Sequence, residues 1–297
     1  MLTPLVLGAL ALVLASPVPW ALARWPGLRH TPVPAMLLWQ STALAAVLAA
    51  LGAGLSLVTS RLWDGEVGRL DVVLAALAGG VTVVVTGRLL LSGHRTGTTL
   101  RRLRRRHREQ VDLLARVDHE AAGGTAGRGL SVLDHEVPVA YCVPGMTGSR
   151  IVVSRSTLTR LAPAELEAVV AHERSHLRAR HDLVLEAFTV LHRAFPRWVS
   201  SAAAHHEVQV LVEVLADRAA VRRGDRRALA SALLALAGSR TPGGALGATG
   251  TGLAERVAVL RDTRPRRVQS VLVSLAALGL IALPSGLVVL PWLAGLR

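Results

Sequence analysis

The chain of 297 residues contains no lysine and has one cysteine (Cys142), one tyrosine and two phenylalanines, and only 18% of it is charged. A lone cysteine excludes an internal disulfide and any cysteine-built zinc knuckle. Because all 34 basic residues are arginine, no arginine stands out merely for not being lysine. A charged fraction below the roughly 25% of soluble domains argues against an ordinary soluble enzyme and, together with the high apolar content, excludes disorder. What the chain has instead is apolar: 51% hydrophobic residues, a mean hydropathy of +0.43 and a net charge of +14.

The distribution of the apolar residues sets the class. Residues 1–23 carry no charge, 30–60 no Asp, Glu or Arg, and 268–296 none either. Each run exceeds the ~20 residues that cross a hydrocarbon core. A fourth run, 72–92, holds Arg88 near one end, where the side chain can reach the headgroups. The first run lacks the basic start of a signal peptide, and Pro17 and Pro19 sit where a cleavage site would fall. The chain therefore reads as a mostly α integral membrane protein with spans at about 2–23, 34–58, 72–92 and 268–297. Trp20, Trp25, Trp39, Trp63 and Trp292 are expected as interfacial anchors, and Pro284 as a kink. Arg95, Arg101, Arg102, Arg104, Arg105, Arg106 and Arg108 follow the third span. The positive-inside rule then predicts residues 93–267 in the cytoplasm, with both termini outside the cell membrane. No aromatic residue interleaves with these arginines, so they read as partners of lipid headgroups and not of nucleic acid.

Within 93–267 the pattern predicts an amphipathic helix over 101–117, with Leu103, Val111, Leu114 and Val117 on one stripe. A Gly-rich connection covers 121–129, and a small β element covers 137–143 and 150–154. The outer edge of the 137–143 strand is a candidate dock for an extended peptide. Helices are expected over 164–180, 183–195, 201–223 and, after Asp225, 226–237, with a mobile loop at 241–252.

The chemistry concentrates in His172-Glu173-Arg174-Ser175-His176. On a helix, histidines four apart share a face and can grip one Zn²⁺, while Glu173 is the candidate general base toward the attacking water. His119, His135 and His206 are also followed by Glu but have no histidine four residues on. A third ligand is expected, and Glu213 supplies it from a stretch apolar nearly all round. Asp217, one turn later, could hold a ligand imidazole. Arg218 is the candidate ion-pair partner of Asp217 or a substrate contact, and His206 the candidate oxyanion donor. His181-Asp182 reads either as support for the ligands or as a helix terminus.

HERSH at 172–176 and EVLAD at 213–217, with AYCVPG at 140–145 before them and a span on either side, resemble the BlaR/MecR-type membrane metallopeptidases. The resemblance is to the short actinobacterial members, since only Arg297 follows the fourth span. It implies a gluzincin-type zinc endopeptidase with His172, His176 and Glu213 as ligands of one ion and Glu173 as base. It also implies a protein or peptide substrate, with a winged-helix repressor of the BlaI/MecI type as candidate. The HtpX/Ste-type processing and quality-control peptidases share both motifs. A non-catalytic membrane transducer with a structural metal site is the remaining alternative.

Overall fold

The computed structural model describes residues 2–63, 68–117, 130–145, 148–195, 201–222, 224–237, 246–247, 252–262 and 264–294. In chain order the elements are α1 (Leu2–Ala15), α2 (Pro17–Ala23), a 3₁₀ turn (Pro26–His30), α3 (Pro32–Trp63), α4 (Arg69–Leu114), β1 (Arg116–Val117), β2 (Leu130–Leu133), β3 (Ala140–Val143) and β4 (Arg150–Ser154). There follow α5 (Arg155–Arg160), α6 (Pro163–Ala179), α7 (His181–Ala194), α8 (Ser201–Val221), α9 (Arg226–Ala235), β5 (Leu246–Gly247), α10 (Leu253–Arg261) and α11 (Arg267–Ala294). The expected connection at 121–129, His119, most of the 241–252 loop, Arg297 and the side chains of Trp63 and Trp292 lie outside the described residues. The chain divides into two compact units, Met1–His94 with Phe188–Val208 and Pro265–Arg297, and Arg95–Ala187 with Gln209–Arg264.

The first unit contains the apolar helices. Four stretches, Leu2–Ala23, Pro32–Ser60, Arg69–Leu114 and Arg267–Leu290, are long and apolar enough to cross a membrane. Leu5, Leu12, Val73, Leu77, Val83, Leu272 and Leu278 are exposed along them. Such surface is unfavourable in water by roughly 25 cal/mol per Å² and suits hydrocarbon. The helix α3 packs on both α1 and α11. Its Gly54 permits a close approach to α4, since a Cβ there would collide with Thr82 Oγ1. Trp20 and Trp25 are exposed as expected of anchors, but Trp39 is buried at 2% exposure and faces inward. Pro284 lies inside α11 without ending it.

The third span and the arginine-rich stretch form one uninterrupted helix, α4, of 46 residues. At 1.5 Å per residue it is roughly 70 Å long, more than twice the ~30 Å hydrocarbon core. It ends at Leu114, and Arg116–Val117 turns into β1, so the helix expected over 101–117 stops short. Of its expected apolar stripe, Val111 is buried, whereas Leu103 and Leu114 are exposed. The reason is that the face turned to the sheet runs through His107, Val111 and Ala115, four residues apart.

The second unit is built around a five-stranded sheet in the order β1-β2-β4-β3-β5, with β2 and β4 parallel and the other pairs antiparallel. Alternation along the strands divides it into two faces. Tyr141, Val143 and Val152 pack with Val111 of α4, whereas Leu130, Val132, Ala140, Cys142, Ile151 and Val153 pack with Val169 and Val170 of α6 and with Ala232 of α9. The strand expected from residue 137 begins at Ala140, and Val137 is 46% exposed. β5 pairs with Tyr141 and Cys142, so the β3 edge expected to receive a peptide is already taken there.

The junction of β4 and α5 is tied by one hydroxyl. Ser154 Oγ accepts from Thr157 N at 3.2 Å, capping α5, and from Val139 N at 3.0 Å. Ser154→Ala leaves two backbone donors without an acceptor and should lower stability by about 1–3 kcal/mol, read as a fall in thermal midpoint of the detergent-solubilised chain.

Candidate metal centre

Helix α6 begins at Pro163, with Ala162 N donating to Glu165 Oε2 at 2.9 Å. A proline and an acid in the first turn both favour a helix start. Its inward face carries Ala168, Val169, Val170, His172, Glu173, Ser175 and His176. His172, Glu173 and His176 have no exposed surface at all. The four-residue spacing sets the two imidazoles on one side, with Nε2 atoms 3.1 Å apart and ring centroids 4.8 Å apart at 70°.

Helix α8 supplies the acids. Val210, Leu211, Val212, Val214 and Ala216 are all buried, so this part of the helix passes through the interior and takes Glu213 and Asp217 with it. Glu213 Oε2 lies 3.4 Å from His172 Nε2, and Oε1 lies 3.5 Å from His176 Nε2. One ligand-type atom from each of His172, His176 and Glu213 falls within 4.8 Å of the others. A tetrahedral ion with bonds of about 2.0–2.2 Å holds its donors roughly 3.3–3.6 Å apart, close to the spacings observed. Glu213 is buried, with both carboxylate oxygens turned toward the two imidazoles. Donor type, burial and spacing fit a metal.

Asp217 Oδ1 lies 2.9 Å from His172 Nδ1, the nitrogen turned away from the other two donors. The cation on Asp217 is not the expected Arg218, which is half-buried with Asp262 among the charges acting on it. It is Arg256 of α10, only 1% exposed, with Nε 2.8 Å from Oδ2 and Nη2 2.7 Å from Oδ1. Its Nη1 lies 3.1 Å from Glu213 Oε2. One guanidinium therefore grips both acids of α8, bidentate on the first. Nothing in the sequence distinguishes Arg256 among 34 arginines except its place among Leu253, Val257, Val259 and Leu260 on a short apolar helix. His181, the first residue of α7, brings Nδ1 to 3.0 Å from His176 Nδ1. His206 is exposed on the Ser201–Val221 helix within the first unit and is not among the side chains gathered here.

Two carboxylates held ionised (Glu213 and Asp217) against one guanidinium leave a buried excess of one negative charge when the imidazoles are neutral. Such an excess is unfavourable by several kcal/mol unless matched, and a bound cation supplies the match. Without one, a proton goes to His172. Burial opposes that charge, but Asp217 and Glu213 outweigh burial and raise the imidazole to about 9. His176 is driven the other way, to about 3, by burial and by the positive charges of His172, His181 and Arg256, against the pull of Glu213. Burial works against Asp217 too, yet its hydrogen bond and charge pairing with Arg256 hold it at about 2.

Residues 104–210 match the family model of Peptidase family M48. The matched segment contains His172, Glu173 and His176 and ends three residues before Glu213. It supports the membrane metallopeptidase reading without singling out the BlaR/MecR type. No curated protein and no solved structure matches the chain.

Arg256→Met leaves Asp217 and Glu213 buried without their cation. It should destabilise the metal-free protein by about 3–5 kcal/mol, measured by thermal unfolding beside the wild type. Because His172 is protonated below about 9 in the metal-free site, metal must displace a proton. Apparent affinity should rise about tenfold per pH unit between roughly 6 and 9 and then level off, as measured by metal titration in buffers of matched ionic strength.

Proposed function

We propose that the chain is a zinc-dependent endopeptidase that hydrolyses peptide bonds of a protein or peptide substrate at the cytoplasmic face of a cell membrane. The observation that carries this reading is the convergence of His172, His176 and Glu213, with Glu173 beside the first of them on the same buried helix face. His172, His176 and Glu213 would hold the ion. When bound, zinc supplies Lewis acidity that polarises the scissile carbonyl and makes water a nucleophile near neutral pH.

The rest is the work of side chains. Glu173, fully buried, takes the proton of the attacking water and delivers it to the leaving amine. Asp217 holds His172 through Nδ1 at 2.9 Å and so leaves Nε2 as the ligand atom. Arg256 keeps Glu213 and Asp217 ionised and in place. Burial of the whole set excludes bulk water, which strengthens each electrostatic contact.

Four apolar helices support a multi-pass membrane protein. The arginines from Arg95 to Arg108 support placing the segment 93–267 on the cytoplasmic side, with both termini outside. A winged-helix repressor of the BlaI/MecI type is the substrate that the sequence resemblance suggests. The alternative, a non-catalytic transducer with a structural metal, shares the ligand set but has no use for Glu173.

Glu173→Gln in the full chain should retain one zinc per molecule and reduce cleavage of casein or a purified repressor by at least 100-fold. Glu213→Ala should lose the metal as well. Elemental analysis alongside a gel-based cleavage assay separates the two. Undiminished cleavage by Glu173→Gln would refute the role of this residue.

A further inference from the structure

Arg180, between α6 and α7, has φ 51° and ψ 43°, a left-handed conformation uncommon for a residue with a side chain. It is the sole non-glycine residue of positive φ among the described residues. Strained backbone of this kind clusters at functional sites, and here it has a definite geometric result. In an unbroken helix, residues five apart lie about 140° apart around the axis, so the rings of His176 and His181 would diverge. The left-handed residue ends α6 and begins α7 with no intervening loop, and His181 turns back. Its Nδ1 reaches 3.0 Å from His176 Nδ1, with ring centroids 4.9 Å apart and planes at 85°. His181 is 6% exposed.

We propose that His181 is a positioning residue of the metal centre, accepting a hydrogen bond from His176 Nδ1–H and thereby fixing the orientation in which His176 Nε2 meets the ion. The inference rests on the metal-binding reading above. His176 Nε2 faces His172 Nε2 at 3.1 Å and Glu213 Oε1 at 3.5 Å. A neutral imidazole whose Nε2 lone pair is committed to a metal carries its proton on Nδ1. That buried N–H needs an acceptor, and the nitrogen at hydrogen-bond distance is His181 Nδ1. His181 then holds its own proton on Nε2.

The two ligand histidines are thus supported differently. A carboxylate, Asp217, stands behind His172, and a neutral ring stands behind His176. Partners of ligating histidines are usually carboxylates, carbonyls or water, so the second arm departs from the common pattern. His181 is itself anchored by its neighbour. Asp182, buried, lies 3.5 Å from Arg104 Nη1 and 3.3 Å from Arg180 Nε, and Arg104 also reaches Glu186 at 3.3 Å. The first turn of α7 is therefore held from α4.

The test is zinc affinity of the full chain in detergent micelles, measured by competition with a chromophoric chelator. His181→Asn places an amide oxygen where Nδ1 stands and should bind within about threefold of wild type. His181→Leu fills the same space without an acceptor and should lose about 10–100-fold. Arg104→Ala should weaken binding by a smaller factor in the wild-type background and have no effect on top of His181→Leu, as expected if both act through one contact. Equal affinity of His181→Leu and wild type would overturn the proposal. So would His181→Asn as weak as His181→Leu with an unchanged thermal midpoint, since packing alone would then explain the site. A wild-type chain that takes up no zinc would overturn the metal-centre reading itself, and the wild-type titration distinguishes that failure from the others.

Discussion

An ionised carboxylate removed from water must find a counter-charge close by, and the second unit buries two, Glu213 and Asp217, beside two facing imidazoles. Arg256 meets both, so one guanidinium answers for two carboxylates. The remaining imbalance explains two features together. His172 holds a proton well above the usual imidazole range, and the donor atoms crowd to 3.1–3.5 Å. Both are what a site able to take a metal cation looks like from the side of the protein.

The scaffold around that imbalance is apolar and specific. α6 lies against one face of the sheet through Val169 and Val170, and Ala168 packs with Leu229 and Leu233 of α9. Those contacts leave α6 little freedom to roll, so the histidine face keeps its bearing. α8 is apolar on nearly every side in its second half, which makes burial of Glu213 and Asp217 a consequence of helix composition. Fixing the ligands in this way limits reorganisation at the site, and preorganised charge is where much of an enzyme's rate acceleration arises.

How much of this could be read from the sequence varies with the range of the interaction. Three uncharged runs and a fourth holding only Arg88 were enough to mark the apolar helices, because crossing hydrocarbon is a demand on composition alone. The pairing of His172 with His176, and the apolar surroundings of Glu213, were legible because helical periodicity is local. Arg256 was not, since its role depends on α10 packing back across 39 residues onto Asp217. Trp39 was misread because proximity to a span end does not distinguish a lipid-facing side from an inward one. The two-residue β5 and the sheet order depend on long-range pairing that no short pattern encodes. His181-Asp182 was legible as candidate support for the ligands, but its meeting with His176 was not, because a helical continuation separates the two and a left-handed residue joins them.

The single-residue junction at Arg180 also sets which changes in chain length the fold can absorb. Between His176 and Glu213 the chain passes through two separate helices, α7 and α8, so surplus length has somewhere to go. Between His176 and His181 there is no such slack: one added or deleted residue would swing the second ring by about 100° around its helix. Homologous sequences that keep a histidine here are therefore expected to keep its distance from the HExxH helix invariant, while spacing to the glutamate drifts.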